Sequence, residues 1–210
     1  MMEGARKQHW NKIYNSKDLQ ETSWFQPTPS DSLKFIKELN LPKSAGIIDI
    51  GGGESLLVDH LIELGYKDIT VLDISEVAIS KAKKRLGNRS ENVKWIVNDV
   101  TSFVPGRQFD LWHDRATFHF LTDDDDISKY VKIASQTIKT DGFLILGTFS
   151  KEGPDHCSGL EIKQYSESGL NELFSGSFKS ISSSVLDHTT PSGELQNFVF
   201  CSFRKSENKV

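Results

Sequence analysis

Three carboxylic acids stand at the ends of three short apolar runs of this chain. Asp49 lies at the end of residues 47–50, Asp73 ends residues 69–73, and Asp99 closes the run that begins at residue 93. Ligands of open parallel sheets bind beyond the carboxyl ends of the strands, so these acids are expected to lie together. Carboxylates accept hydrogen bonds from hydroxyls and amines. The three acids therefore predict a site for a cationic ligand that carries a ribose and an exocyclic amine.

A run of three glycines, Gly51 to Gly53, follows Asp49 and precedes a segment with helical spacing. Glycine permits a tight turn and a close approach of a ligand to backbone N–H groups, next to the positive end of a helix. A dinucleotide fingerprint needs a third glycine where this chain has Leu56. Asp49 would also repel a pyrophosphate. The turn therefore favours a nucleoside carrying an ammonium or sulfonium group over a dinucleotide.

The pattern Asp49-x-Gly51-x-Gly53, with Asp73 and Asp99 at the next two strand ends, resembles the motif set of the class I S-adenosylmethionine-dependent methyltransferases over about residues 32–204. The resemblance implies S-adenosylmethionine (SAM) as cofactor and S-adenosylhomocysteine (SAH) as product. It assigns the methionine moiety to Asp49, Gly51 and Gly53, the ribose to Asp73, one adenine face to Ile74, and the adenine edge to Asp99 and Val100. Trp24 and His113 complete the expected cofactor-binding set.

The acceptor is expected at the end of the fourth strand, where the chain reads His113-Asp114-Arg115-Ala116. This stretch is similar to the Asp-Arg-Gly of thiopurine and tellurite-type methyltransferases, and more loosely to the Asp-Lys-Gly of some protein-lysine methyltransferases. Asp114 and Arg115 are the predicted catalytic pair. Other candidate bases are the histidines at positions 113, 119 and 156. The motifs of nucleobase methylation are missing.

The predicted function is methyl transfer from SAM to a small acceptor, at sulfur or a related soft atom. A protein-lysine N-methyltransferase is the alternative within the family. A nicotinamide-dependent oxidoreductase and a cofactor-binding protein without catalysis are the alternatives of other classes. No metal is expected, because acids such as Asp123 to Asp126 are favoured at a helix N-terminus by its dipole.

The chain of 210 residues, with a net charge of -4, fits one domain with no linker inside it. Residues 1–30 are expected to form an aromatic lid over a core of residues 31–204; the lid aromatics are Trp10, Tyr14, Trp24 and Phe25. The negative charge argues against a nucleic-acid partner. No apolar run reaches the length of about 18 residues that a membrane span needs, and a cytoplasmic location is the expectation.

The elements that position these residues alternate between strand and helix and end in two β runs, residues 178–188 and 195–203. This order predicts an α/β fold with a mainly parallel sheet and an antiparallel edge. The family resemblance makes it a Rossmann-like, doubly wound sheet of seven strands in the order 3-2-1-4-5-7-6, with strand 7 antiparallel.

Overall fold

A computed structural model describes residues 3–206 of the chain. Its main sheet has seven strands in the order β3-β2-β1-β4-β5-β9-β8. The strands are β1 (Gly46–Ile50), β2 (Asp68–Asp73), β3 (Val93–Val97), β4 (Phe109–Arg115), β5 (Ile138–Phe149), β8 (Phe178–Thr189) and β9 (Leu195–Lys205), while β6 (His156–Cys157) and β7 (Leu160–Glu161) form a separate small hairpin. Strand β9 runs antiparallel to both of its neighbours. The predicted fold class and strand order are confirmed.

Six α-helices flank the sheet: α1 (Glu3–Ser16), α2 (Ser30–Glu38), α3 (Leu57–Glu63), α4 (Glu76–Leu86), α5 (Asp124–Thr137) and α6 (Glu167–Phe174). Local chemistry sets several of their ends. The Ser75 hydroxyl accepts from the backbone N–H of Ala78 at the start of α4, and Asp123 accepts from the first turn of α5. Both contacts satisfy backbone donors that have no partner within the helix.

The sheet separates two hydrophobic layers. On one face Trp112 and Tyr130 lie in the cluster that includes residues of α5 and α6. On the other face Leu33 of α2 and Leu61 of α3 pack with Ile47 of β1. Because β1 and β4 are buried in the middle of the sheet, the backbone at their carboxyl ends is held firmly from both sides.

Strand β5 begins at Ile138, directly after α5, because Ile138 is buried and pairs with Phe109 of β4. One element differs from the sequence-based expectation. The aromatic segment near the N-terminus contains a helix, α1, which the pattern of apolar residues did not predict. Within residues 3–206, the structure contains no helix with the length and apolar character of a membrane span.

Candidate active site

The turn after β1 has a backbone that requires glycine at two positions. Gly51 and Gly53 have φ angles of 62° and 43°, in the left-handed region that side chains disfavour. A Cβ on Gly53 would lie 2.7 Å from the hydroxyl oxygen of Tyr14 and 2.8 Å from Oδ2 of Asp73. The turn is therefore packed so closely that any side chain at Gly53 would displace its neighbours.

The three strand-end acids are brought together as predicted. Asp49, Asp73 and Asp99 are each between 3% and 5% exposed. Asp73 Oδ1 accepts from the backbone N–H of Ser75 at 2.7 Å. Burial, and then the nearby charge of Asp49, raise the pKa of Asp73 to about 7, although backbone N–H groups of Ser75 and Gly53 act in the opposite direction. A ligand that donates hydrogen bonds to Asp73 would therefore stabilise its ionised form.

These acids line one cavity at the carboxyl ends of β1, β2 and β4. The cavity contains about 1280 Å³ of empty space, including the part that is open to solvent. The predicted site residues on its wall are Trp24, Asp49, Gly51, Asp73, Ile74, Asp99, Val100, His113 and Arg115. Gly53 and Asp114 are absent from that wall.

His113 contacts Asp49 rather than pointing freely into the cavity. Its Nδ1 lies 2.7 Å from Asp49 Oδ1, and its Nε2 lies 2.9 Å from the hydroxyl oxygen of Ser32. All three side chains are buried. His113 would therefore act on the cofactor through Asp49, because it holds the Asp49 carboxylate in place. Ser32 extends this chain of hydrogen bonds to α2.

Asp114 is a fully buried acceptor of three hydrogen bonds. Its carboxylate accepts from the Tyr130 hydroxyl at 2.7 Å and from the backbone N–H groups of Thr117 and Phe118 at 3.0 and 3.3 Å. Burial raises its pKa to about 6, against the effect of these donors. Asp114 itself is absent from the cavity wall, and its contacts hold the turn after β4, in which Thr117 lines the cavity.

Arg115, the other predicted catalytic residue, does face the cavity. Its Nη1 donates to the backbone carbonyl of Trp24 at 3.0 Å, and its guanidinium lies over the Phe198 ring at 5.1 Å. Its Nη2 is buried and has no hydrogen-bond partner among the described residues. Burial lowers the pKa of Arg115 to about 10, while Asp31 and Cys157 oppose that shift. A buried cation with one free donor is suited to an anionic ligand.

The remaining candidate bases have less favourable positions. His119 is fully buried and stacks on Phe149 with 4.4 Å between ring centroids. Burial and the charge of Arg115 lower the pKa of His119 to about 3, so its ring is neutral at pH 7. His156 is exposed, bonds to Asp155 and does not line the cavity. In residues 3–206 no group of three or more potential metal ligands is clustered.

Helix α1 covers the end of the cavity that Asp99 lines. Arg6 Nε lies 2.9 Å from Asp99 Oδ2, and Arg6 Nη1 donates to Asp126 Oδ2 at 2.8 Å. The contact with Asp99 is an ion pair that lacks hydrogen-bond alignment. Trp10 packs at 4.9 Å from Phe120, between ring centroids. Sequence reasoning placed aromatic residues here but missed Arg6, because one arginine in a polar segment gives no signal of a partner 93 residues away.

Sequence reasoning also missed Gln26, Cys157 and Gln196, which line the cavity as well. Cys157 is nearly buried, and burial raises its thiol pKa. Neutral polar residues such as these are common on protein surfaces, so nothing in the sequence marks them as members of a site.

The cavity fits SAM on its own geometry. Asp99 Oδ2 has no aligned hydrogen-bond donor among the described residues, although Arg6 Nε lies 2.9 Å away, and it retains the capacity to accept from an exocyclic amine. The buried Asp73 gains from hydroxyl donors. The cluster of acids would repel the pyrophosphate of a dinucleotide, as the sequence predicts.

Comparisons with known proteins agree with this geometry. Residues 47–142 match the family model "Methyltransferase domain". The mouse eEF1A lysine and N-terminal methyltransferase is 29% identical over 57% of this chain and 17% of its own length. The human EEF1A lysine methyltransferase 2 is 26% identical over 67% of this chain and 66% of its own length. This chain therefore spans about a sixth of the first relative and about two thirds of the second.

Solved structures share the fold at low sequence identity. A protein studied for the conversion of a disulfide bond into a thioacetal group during echinomycin biosynthesis has a TM-score of 0.76 at 20% identity, over 97% of this chain and 94% of its own. The N-methyltransferase NodS from Bradyrhizobium japonicum WM9, in complex with SAH, has a TM-score of 0.70 at 16% identity, over 94% and 97%. The SAH bound to NodS agrees with the SAM cofactor that the motif set predicts. The sheet order and the match of residues 47–142 to a methyltransferase domain support the predicted resemblance to the class I SAM-dependent methyltransferases.

Proposed function

We propose that this chain methylates a small acceptor at sulfur or a related soft atom, and that Arg115 binds the acceptor as an anion. The observation that carries the proposal is that Arg115 lines the cavity and that its buried Nη2 has no hydrogen-bond partner within residues 3–206. A buried donor without a partner costs about 1–3 kcal/mol, which an anionic ligand would recover. SAM, when bound, supplies an electrophilic methyl group.

A thiol acceptor explains why the site needs no strong base. A free thiol has a pKa of about 8.5, and a cation within about 4–6 Å lowers the pKa of an acid by about 1–3 units. Arg115 would therefore hold a small thiol largely as its thiolate at pH 7. The thiol proton goes to solvent, and the sulfur electron pair then forms the new bond to carbon while the old carbon–sulfur bond breaks. Alignment and exclusion of water supply the acceleration.

A protein-lysine acceptor is the second candidate, and the names of the curated relatives support it. An ammonium acceptor needs a group that attracts a cation and accepts its proton. The carboxylates on the cavity wall are Asp49, Asp73 and Asp99, all at the glycine-turn and adenine side. The charge nearest the fourth strand end is the cation of Arg115, which opposes a second cation. We therefore favour the thiol.

The test is a panel of small thiols, amines, hydroxyl compounds and a lysine peptide, with SAH formation as the readout. Thiols should be methylated. Arg115→Ala should lower kcat/KM for thiols about 10- to 150-fold, because a hydrogen bond to a charged group contributes about 1.5–3 kcal/mol. The SAM dissociation constant should stay within a few-fold. Arg89→Ala removes an exposed arginine outside the cavity and is the matched control. Methylation of the peptide and of no thiol would overturn the proposal.

A further inference from the structure

A hydrogen-bonded pair, Gln26 and His188, lies beside Arg115 on the acceptor side of the cavity. His188 belongs to β8, and its Nε2 lies 2.7 Å from the backbone carbonyl oxygen of Ser23. A carbonyl oxygen only accepts hydrogen bonds, so Nε2 carries the hydrogen. On a neutral ring, Nδ1 then has a lone pair and must accept.

The His188 ring is neutral at pH 7. Burial and the charge of Arg115 lower its pKa, while the bond to Ser23 and the carboxylate of Asp31 act in the opposite direction. Because Nδ1 accepts, the Gln26 group that faces it, 3.5 Å away, is the amide nitrogen. This hydrogen bond fixes the orientation of the Gln26 amide.

The fixed orientation leaves Gln26 Oε1 without a partner. This oxygen is buried and has no hydrogen-bond donor among residues 3–206. Arg115 Nη2 is also buried and has no hydrogen-bond acceptor among these residues. Both residues line the cavity. Gln26 belongs to the short segment from Ser23 to Gln26, and Arg115 donates to the backbone carbonyl of Trp24 in the same segment. The cavity wall thus includes one residue with a cationic donor and one residue with a neutral acceptor that no described residue satisfies.

We infer that Gln26 is a specificity residue that selects acceptors with an O–H or N–H group beside the anionic sulfur, and that His188 is a positioning residue that keeps the Gln26 oxygen turned to the cavity. This inference rests on the proposed function. The substrate class is a small thiol with a neighbouring hydroxyl or amine, as opposed to a plain alkanethiol. An alkanethiol would leave Gln26 Oε1 buried and unpaired, which costs about 1–3 kcal/mol.

The test compares 2-mercaptoethanol with 1-propanethiol, in which a methyl group replaces the hydroxyl at equal chain length. The measured quantity is the ratio of kcat/KM for the two thiols. Gln26→Leu should lower this ratio about 5- to 150-fold. The different acidities of the two thiols affect wild type and variant equally and cancel. Gln108→Leu, an exposed glutamine outside the cavity, should keep the wild-type ratio.

His188 is tested by the same ratio, because a structural role alone would change turnover of both thiols together. His188→Phe removes the ring nitrogens and frees the Gln26 amide to rotate, so the ratio should fall toward that of Gln26→Leu. In the wild type the ratio should also fall at a pH below the lowered pKa of His188, because the protonated Nδ1 then repels the N–H group of the Gln26 amide. Arg115 and Asp31 are the charged groups that face the His188 ring. Gln26→Leu should show no such pH step.

Each outcome decides between the two proposals. Methylation of both thiols with the same ratio in wild type and Gln26→Leu would overturn the role of Gln26 and leave the thiol proposal standing. Methylation of neither thiol by a wild-type protein that binds SAM would overturn both. A SAM-induced rise in melting temperature shows that each variant is folded.

Discussion

The affinity for SAM is expected to fall in acid, because Asp73 must be ionised to accept from both ribose hydroxyls. Burial and the charge of Asp49 raise the pKa of Asp73 to about 7 in the protein without cofactor. The sign follows from the form that binds. The carboxylate binds and the carboxylic acid does not, so affinity is fully developed above this pKa and is lost as the pH falls through it.

The size of the effect follows from the ionised fraction. With a pKa of about 7, about nine tenths of Asp73 is ionised at pH 8 and about one tenth at pH 6, so the dissociation constant should rise about tenfold between them. Binding at pH 7 should release about half a proton. Isothermal titration calorimetry from pH 5.5 to 8.5, in buffers of different ionisation enthalpy, measures both quantities.

Asp73→Asn is the control, since an amide does not titrate and keeps one oxygen for the backbone N–H of Ser75. It should weaken SAM about 10- to 150-fold at pH 8 and remove the pH dependence. A flat affinity in the wild type between pH 6 and 8 would refute the reasoning. A tenfold slope that persists in Asp73→Asn would show that Asp73 is not the titrating group.

Other perturbations test the lid, the buried carboxylate and the absence of a metal. Deleting residues 1–26 should leave a folded core with weak SAM binding and little turnover, and a truncated protein with full activity would assign the aromatics of this segment to packing alone. Asp114→Asn should lower the free energy of unfolding by about 1–3 kcal/mol in chemical denaturation, because it disturbs a buried acceptor of three hydrogen bonds; loss of turnover at unchanged stability would instead support a catalytic role. Dialysis against a chelator should leave SAH formation unchanged, and recovery by Mg²⁺ after dialysis would contradict this.

The grouping of the three acids around one cavity could be predicted from the sequence, because each acid is marked by local signals. Asp49 and the glycine turn are adjacent in the chain, and Asp73 and Asp99 each end a recognisable strand. The parallel sheet then brings strand ends together without further information. The same logic located Arg115 at the end of β4, and the structure places its guanidinium on the cavity wall.

The acceptor half could not be predicted, because its contacts join distant parts of the chain. Gln26 and His188 are 162 residues apart, and their partnership depends on how the segment before α2 packs against β8. The burial of Asp114 could not be predicted for a related reason. Its position at a strand end is suited to catalysis, but the three donors that enclose it come from the turn after β4 and from Tyr130 of α5.

The ion pair between Arg6 and Asp99 makes the N-terminal helix an internal competitor for the adenine-binding carboxylate. In the proposed role of Asp99, the exocyclic amine must share or replace a cation that the chain itself supplies. The observed affinity for SAM is then the intrinsic affinity multiplied by the fraction of molecules in which Arg6 does not occupy the Asp99 carboxylate. Salt weakens such a pair, so moderate ionic strength should tighten SAM binding in the full chain and have a smaller effect in Arg6→Ala. Helix α1 would thus raise the SAM concentration that is needed to fill the cavity, in addition to covering the cavity.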